Sequence, residues 1–244
     1  VNLGAGLALF HQKKVLLVDM DAQGHIGTSL NHLASNGAGI GKVLGAKSGS
    51  IMVVIVPTDV PQLDMTPSDH SLLEAESQLA GKIGREFILR KALTRARTYY
   101  DYILIDCPPN LGNLTVNAYV ASDYLLIPCD LSALALEGME GILEVVDTVN
   151  FRLNHPLKIL GVLTTRVDHR NLLMNETVFA RLKEAFSDKL LRTQITVNTD
   201  LNKAQLRGKP IFMVARSSAG ARDYHALADE LIERLDSLSG PTRL

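Results

Sequence analysis

Short apolar runs alternate with longer stretches in which apolar residues recur at helical spacing. The short runs predict β-strands at residues 15–19, 51–56, 63–66, 102–106, 124–128 and 159–164. The helical spacing predicts helices at residues 71–79, 86–96, 114–121, 136–153, 174–186 and 220–235. Several of the strands are apolar on both faces, which is typical of parallel strands covered by helices. The alternation therefore predicts an α/β fold with a doubly wound, mostly parallel sheet and helices on both faces.

Length and composition favour a single large domain. The chain has 244 residues, of which 46% are hydrophobic, so a sizeable core can form. We expect this domain to span residues 1–237 and to be followed by a flexible tail at 238–244. No apolar run approaches the ~20 residues of a membrane span. The two cysteines each end an apolar run, and we expect them to be reduced core residues of a cytoplasmic protein. The low aromatic content, with no Trp, argues against a stacking surface for single-stranded nucleic acid.

The charges are unevenly distributed along the chain although the net charge is only −1. Residues 158–222 contain 12 Lys and Arg against 5 Asp and Glu, and the rest of the chain is acidic. A basic segment of this kind is what a surface facing a polyanion needs. The alternative is that these charges are scattered over several faces of the protein.

Carboxylates follow several of the predicted strands. Asp19 and Asp21 come at the end of the first strand, and Asp106 ends the strand "YDYILID". In a doubly wound sheet, ligands bind beyond the carboxyl ends of the strands. An apolar strand that ends in Asp also has the form of a Walker B strand, whose carboxylate holds Mg²⁺ directly or through water. Capping of the following helix is the alternative role for such an Asp.

Three segments together resemble the ParA family of deviant-Walker partitioning ATPases, especially its Soj-like branch. They are "VLLVDMDAQG", "YDYILIDCPPNLGNLTVNAYVASDYLLIP" and "GKPIFMVARSSAGARDYHALADEL". The resemblance implies a P-loop NTPase fold that binds ATP and Mg²⁺. It implies that Asp21 orients the attacking water, that Asp19 lies near the metal, and that Asp106 is the Walker B aspartate. The nucleotide-binding residues that it implies are Gln23, Gly24, Pro108, Thr165, Arg166 and Asn198.

The phosphate loop of that family, K-G-G-V-G-K-T, does not occur in this sequence. We therefore expect the chain to be a fragment that lacks about twenty N-terminal residues, including the first strand and the loop. We expect the chain as printed to bind ATP poorly and a parent with the leader to bind and hydrolyse it. The glycine-rich stretch 37–43, "GAGIGKV", follows no predicted strand and carries Val43 where a Mg²⁺-binding Ser or Thr would stand. It is interpreted as a flexible loop.

The resemblance also implies partners. It implies a homodimer joined through ATP, nonspecific DNA binding on the nucleoid, and activation by a ParB-like protein, without membrane binding. Val197, Asp200 and Ala219 replace residues that close relatives use near this surface, which weakens the DNA expectation. The remaining candidate phosphate contacts are Arg192, Lys203, Arg207, Lys209, Arg216 and Arg222.

Two other functions compete with this interpretation. A membrane-cycling regulator similar to MinD would need a basic amphipathic helix at the C-terminus, whereas the end of this chain is acidic. A degenerate, non-hydrolysing binding module would have no need of Asp19, Asp21 and Asp106 together.

Overall fold

The strands form two hydrogen-bonded sheets in the computed structural model, which describes residues 1–32, 38–46, 49–131, 135–170 and 172–239. The first sheet has the order β2-β3-β1-β4, and the second has the order β5-β6-β7. β1 pairs in parallel with β3 and β4, β2 pairs antiparallel with β3, and the second sheet is all parallel. The strands are β1 (Val15–Asp19), β2 (Val56–Pro57), β3 (Leu63–Thr66), β4 (Tyr102–Asp106), β5 (Tyr124–Asp130), β6 (Lys158–Val167) and β7 (Leu190–Thr196).

Helices connect the strands and cover both faces of the sheets. They are α1 (Asn2–His11), α2 (His25–Ser29), α3 (Ile40–Gly45), α4 (Ser71–Leu79), α5 (Ile88–Leu93), α6 (Asn113–Ala121), α7 (Ala135–Arg152), α8 (Leu172–Phe186), α9 (Thr199–Leu206), α10 (Ile211–Val214) and α11 (Ala219–Ser239). Short 3₁₀ segments at Ile51–Val53, Arg85–Phe87, Ala96–Thr98 and Ser187–Lys189 complete the connections.

β1 is buried along its whole length, which explains its uninterrupted apolar sequence. Leu16 and Val18 pack on one face in a core shared with helices α3 to α6. Val15 and Leu17 pack on the other face in a core shared with α1 and the α9–α11 segment. Alternate side chains of a strand point to opposite faces, so a strand sandwiched between helix layers must be apolar at every position. This arrangement confirms the predicted doubly wound α/β fold.

Helix α11 packs against both sheets. Ala221 and Ala228 belong to the core below the first sheet, whereas Leu227 and Leu231 belong to the core below the second. Because one helix contributes to both cores, the two sheets are parts of one packed structure.

Carboxylates of α11 also occupy the outer edge of β7. Glu230 is buried and accepts the backbone N–H groups of Arg192, at 2.9 Å, and Thr193, at 2.8 Å. Asp223 accepts the backbone N–H of Thr196 at 2.9 Å. Three edge N–H groups that would otherwise lack a ladder partner are therefore satisfied by side chains.

β4 and β5 are the neighbouring edges of the two sheets, and each pairs with strands of its own sheet. Both strands line the same two cavities, of about 580 and 420 Å³. Although their sequences are mostly apolar, most of their residues are half-buried, whereas β1 is wholly buried.

Some elements differ from those that the sequence predicts. Residues 51–56, predicted as one strand, form a 3₁₀ segment followed by the two-residue strand β2. Residues 86–96, predicted as one helix, form the shorter helix α5 with a 3₁₀ segment on either side of it. β7 was missed because Arg192, Thr193 and Gln194 interrupt its apolar residues. The helices α2, α3, α9 and α10 were also missed, since each is too short to show a helical period. Helix α11 continues to Ser239, so the tail predicted from residue 238 begins inside a helix, and residues 240–244 lie outside the described residues.

Candidate functional site

Asp19 ends β1 with its side chain fully buried. Its Oδ1 accepts the backbone N–H of Asp21 at 3.1 Å, and its Oδ2 accepts that of Ile26 at 3.1 Å. The carboxylate thereby ties the end of the strand to the following loop and to the first turn of α2. Burial is the main cause that raises the pKa of Asp19, from 3.8 to about 6, against the lowering effect of the Asp21 N–H.

The loop after β1 carries Asp21 in a half-buried position. Asp21 Oδ1 accepts the backbone N–H of Gln23 at 3.0 Å, and the carbonyl of Asp21 accepts the N–H of Gly24 at 3.0 Å. Gly24 has φ of +66°, and a Cβ there would lie 3.0 Å from the carbonyl oxygen of Ser68. The turn therefore requires glycine at position 24, both for its left-handed backbone and for its close packing. Gln23 is exposed at the surface of this turn.

Asp106 lies beside these two residues. In the parallel pairing of β1 with β4, Asp19 and Asp106 are register partners. The backbone carbonyl of Asp106 also accepts the N–H of Met20 at 2.9 Å. Desolvation is the main cause that raises the pKa of Asp106, and the charge of Asp21 raises it further. The three aspartates predicted from separate segments thus converge at one edge of the sheet.

The charge environment of this acidic cluster is mixed. The imidazole of His25 acts to lower the pKa of Asp106, because a nearby positive charge favours the ionised carboxylate. The cluster is therefore a place where a further cation would relieve carboxylate repulsion.

Within the residues that the structure describes, no three His, Cys, Asp or Glu side chains are close enough to hold a metal ion by themselves. Mg²⁺ characteristically binds through one or two carboxylates, waters and substrate phosphates rather than in a cage of protein ligands. The chemistry of this donor set therefore fits a magnesium ion that arrives with a phosphate-bearing ligand.

The other predicted nucleotide-binding residues lie at the ends of several strands. Pro108 is in the loop between β4 and α6, two residues after Asp106. Thr165 and Arg166 are near the end of β6, and Arg166 is exposed with φ of +54°. Asn198 follows β7, and its Oδ1 accepts the N–H of Asp200 at 2.8 Å, which caps α9. Because Val197 N–H donates to Val167 O at 3.0 Å, the ends of β6 and β7 lie together.

The six candidate DNA contacts have different environments. Arg192 pairs with Glu230 and Glu233, and Lys203 pairs with Asp200 at 2.8 Å. The guanidinium of Arg222 donates to the carbonyl of Ser217 at 2.7 Å. The other three, for which the described structure gives no ion pair, are exposed and lie between α9 and α11: Arg207, Lys209 and Arg216. The basic excess of the 158–222 segment is therefore partly neutralised within the protein.

Several polar residues that the sequence did not single out line the larger cavity between β4 and β5. They come from α1, α2, α9 and α11, and they share the cavity with Asp106 and Lys209. They are Asn2, His25, Ser29, Asn202, Gln205 and Tyr224. No motif or spacing marks them, because they come from four helices that are distant in the sequence.

Two further predictions concern the state of the cysteines and the presence of membrane-spanning helices. Both cysteines are free thiols, with Cys129 buried and Cys107 half-buried. Burial raises the pKa of Cys107 to about 12, so its thiol is protonated at neutral pH. Among the described helices, none is long and apolar enough to cross a membrane.

Comparisons with known proteins find relatives along nearly the whole chain. A family model described as an AAA domain matches residues 1–159. The sporulation initiation inhibitor protein Soj of Bacillus subtilis is 40% identical over 239 residues, covering 95% of this chain and 90% of Soj. The chromosome partitioning protein ParA of Myxococcus xanthus is 36% identical over 243 residues, covering 100% of this chain and 85% of that protein.

A solved structure has a similar fold. It is the crystal structure of cobyrinic acid a,c-diamide synthase of Mycobacterium smegmatis with bound ATP analog and magnesium. The TM-score is 0.79 at 29% sequence identity, and the match covers 96% of this chain and 87% of that chain.

Proposed function

Because this chain belongs to the ParA family of partitioning ATPases, we propose that the full-length protein hydrolyses Mg-ATP as a switch in the partitioning of a chromosome, a plasmid or another cargo. The observation that carries the proposal is the convergence of Asp19, Asp21 and Asp106 at the carboxyl edge of β1 and β4. Acidic groups crowded in a partly desolvated place are costly unless a cation accompanies the ligand.

Asp21 is the residue that acts on the attacking water. One of its oxygens is held by the Gln23 N–H, which fixes the carboxylate while its second oxygen can accept a hydrogen bond from water. Transfer of a phosphoryl group to water needs an oriented nucleophile and stabilisation of charge, and little else from the protein. Asp21 supplies the orientation.

Asp106 is the residue that would hold Mg²⁺, and the ion would neutralise charge that develops on the phosphates. Asp19 lies beside it, but both carboxylate oxygens of Asp19 accept backbone N–H groups. Asp19 therefore contributes mainly by fixing the loop that carries Asp21, and by the negative charge that it adds near the ion.

The nucleotide itself is proposed to contact residues at the ends of both sheets. The supporting observations are that Gly24 forms the tight turn after Asp21 and that the ends of β6 and β7 lie together. The proposed contacts are Gln23, Gly24, Pro108, Thr165, Arg166 and Asn198.

The finer parts of the function are proposed from the similarity to Soj and ParA. ATP joins two copies of the chain, the dimer binds DNA without sequence preference, and a ParB-like partner stimulates hydrolysis. The protein then acts in the cytoplasm on the nucleoid. Phosphate contacts by Lys and Arg would provide the DNA affinity.

The ATPase proposal is tested with the full-length protein and two variants. Asp21→Asn removes the carboxylate that orients water, and it should lower the hydrolysis rate about 100-fold or more while Mg-ATP binding persists. Asp59→Asn, an exposed change in the turn before β3, is the matched control. Calorimetric titration measures binding, and phosphate release measures hydrolysis. Wild-type protein that does not bind Mg-ATP, or Asp21→Asn that hydrolyses it normally, would refute the proposal.

The DNA proposal is tested by the salt dependence of binding to a duplex of arbitrary sequence. Each phosphate contact contributes about −0.9 to the slope of log K against log salt. The double variant Arg207→Ala, Arg216→Ala should therefore reduce the slope by about 2 in the presence of Mg-ATP. An unchanged slope would show that these two exposed arginines do not contact DNA.

A further inference from the structure

A short basic segment lies outside the 158–222 stretch that carries the candidate DNA contacts. Residues 82–98 contain six Lys and Arg against one acidic residue, Glu86, although the chain outside 158–222 is acidic as a whole. This segment includes α5 and the 3₁₀ segments on either side of it. A local excess of positive charge is what a surface that faces a polyanion needs.

The helical backbone of this segment continues beyond the end of α5. Thr94 and Arg95 have right-handed helical torsion angles, and the 3₁₀ segment Ala96–Thr98 follows directly. One side of this extended helix is buried in the core on the first sheet, through Leu89, Ala92, Leu93 and Ala96. The other side, which we call the basic face, is exposed and consists of Arg90, Lys91, Thr94, Arg95, Thr98 and Tyr99.

Two cations of the basic face are not neutralised by carboxylates. Within the described residues, nearby Arg97 pairs with Asp123 at 2.7 Å, whereas Lys91 and Arg95 form no ion pair. The Cζ of Arg95 instead lies 5.8 Å from the centroid of the Tyr99 ring, and its Nη2 donates to the Tyr99 hydroxyl at 3.5 Å. Because Tyr99 is itself exposed, this contact orients the guanidinium without burying it.

The chemistry of the basic face suits the backbone of duplex DNA. Ammonium, guanidinium and hydroxyl groups are the side-chain donors that contact phosphate oxygens. Lys91 and Arg95 are four residues apart, so they project from neighbouring turns with Cβ atoms about 5–6 Å apart. Every exposed residue between 88 and 99 is Arg, Lys, Thr or Tyr, so this helix lacks the aliphatic side chains that anchor a helix in a membrane surface. Duplex DNA is therefore favoured over a lipid surface.

The basic face lies away from the proposed nucleotide site. Tyr99 lies three residues before β4, which runs from Tyr102 to Asp106. A strand rises about 3.3 Å per residue, so Asp106 lies roughly 13 Å beyond the start of β4. DNA at the basic face would therefore leave the aspartate cluster open to the nucleotide.

The basic face and the candidate contacts Arg207 and Arg216 lie on opposite sides of the first sheet. Helix α5 packs on the side of β1 that carries Leu16, whereas α9 and α10 pack on the side that carries Leu17. Arg207 and Arg216 directly follow α9 and α10. Duplex DNA has a persistence length of about 50 nm, so bending one short segment around the domain to reach both sides is costly. Each side would therefore take its own DNA segment.

We propose that the basic face of α5 is a second DNA-binding surface, which contacts the phosphates of duplex DNA independently of sequence. This proposal goes beyond the proposed function, whose exposed DNA contacts lie between α9 and α11, and it lets one chain hold two DNA segments. An anionic membrane as the ligand of the basic face is one outcome of the test.

The experiment uses the full-length protein with Mg-ATP at saturation and a short duplex of arbitrary sequence. A titration followed by fluorescence anisotropy gives the affinity and the number of duplexes bound per chain. The double variant Lys91→Ala, Arg95→Ala should bind about half as many duplexes as wild type, because one of two surfaces loses its phosphate contacts. Its binding and hydrolysis of Mg-ATP should match wild type, since the basic face lies away from the aspartate cluster.

A second background isolates the basic face. In the variant Arg207→Ala, Arg216→Ala, the DNA binding that remains should come mainly from the basic face. Adding Lys91→Ala and Arg95→Ala to this variant should weaken the remaining binding by about tenfold or more, because two further phosphate contacts are lost.

The matched control is the double variant Arg181→Ala, Lys183→Ala. It removes the same two charges from exposed positions of α8, where Glu184 is also exposed, and it should bind DNA as wild type does. Unfolding midpoints of all variants check that they fold. Sedimentation with vesicles of phosphatidylcholine and phosphatidylglycerol measures membrane binding, which should be the same for wild type and Lys91→Ala, Arg95→Ala.

The outcomes separate this proposal from the proposed function. If Lys91→Ala, Arg95→Ala binds DNA as wild type does, or if the α8 control loses as much binding, the second surface is overturned and the contacts between α9 and α11 stand. If this variant keeps DNA binding and loses vesicle binding, the basic face is a membrane contact and the assignment is again overturned. If wild type binds no DNA, both DNA proposals are overturned and the ATPase proposal stands.

Discussion

Replacement of Asp19 by Asn should destabilise the protein at low pH and leave its stability similar or slightly increased near neutral pH. Asp19 is fully buried, and its two oxygens accept the backbone N–H groups of Asp21 and Ile26. Asparagine keeps one acceptor oxygen for one of these N–H groups. Its amide nitrogen, which cannot accept a hydrogen bond, faces the other N–H and leaves that buried donor unpaired. An unpaired buried group costs about 1–3 kcal/mol at any pH.

The opposing effect on stability comes from the buried negative charge of Asp19, which asparagine does not carry. The folded state raises the pKa of Asp19 from 3.8 to about 6. Below about pH 4 the carboxyl is protonated in both the folded and the unfolded state, so burial of the side chain carries no charge penalty. As the pH rises from about 4 to 6, the unfolded chain loses this proton before the folded protein does, and stability therefore falls. Above about pH 6 the full penalty is present, and at about 1.4 kcal/mol per pKa unit it amounts to about 3 kcal/mol.

The two effects give a definite expectation. At about pH 4, Asp19→Asn should be less stable than wild type by about 1–3 kcal/mol. At about pH 7, removal of the buried charge should offset this loss, so that the two proteins have similar stability or the variant is slightly more stable.

Urea denaturation between about pH 4 and pH 8, in metal-free buffer, measures the difference in the free energy of unfolding. Asp59→Asn is the control, because Asp59 is exposed and should give a difference that changes little with pH. A difference for Asp19→Asn that stays constant across this range would show that burial does not hold the carboxyl protonated, and the reasoning would fail.

Three other substitutions test the packing of the fold by urea denaturation. Gly24→Ala should lower the free energy of unfolding by about 1–2 kcal/mol, because of the left-handed backbone and the contact with the Ser68 carbonyl; an unchanged midpoint would contradict the turn geometry. Glu230→Ala should lower the free energy of unfolding by about 3–5 kcal/mol, because it uncovers buried donors and a charged partner. Glu233→Ala, at an exposed position of the same helix, should lower it by less than about 1 kcal/mol. Leu182→Ala, fully buried under the second sheet, should cost about 2–5 kcal/mol, and a smaller loss would mean that α8 packs loosely.

The sequence predicted the parts of the fold that carry a strong local pattern. β1 and β4 have the predicted bounds because each is an uninterrupted apolar run that ends in Asp, and β3 has them because its apolar residues alternate with polar ones. The ends of those strands also predicted the aspartate cluster, since parallel strands bring their carboxyl ends to one edge. The sequence could not predict that both oxygens of Asp19 bind backbone N–H groups, because this depends on how the loop closes in three dimensions.

The missed features depend on contacts between distant segments. β7 carries Arg192 and Gln194 among its apolar residues, and a strand of this kind is recognisable only from its neighbours β6 and α11. The left-handed backbone of Gly208 and its packing on Asn31 likewise depend on a segment that is far away in the sequence.

The carboxylates along β7 have a consequence for association between molecules. A strand from a second molecule that approached this edge would have to displace Glu230 from two amides before its first ladder bond could form. Such displacement would also leave a buried negative charge without its donors. The second sheet is therefore capped against intermolecular strand addition on this side.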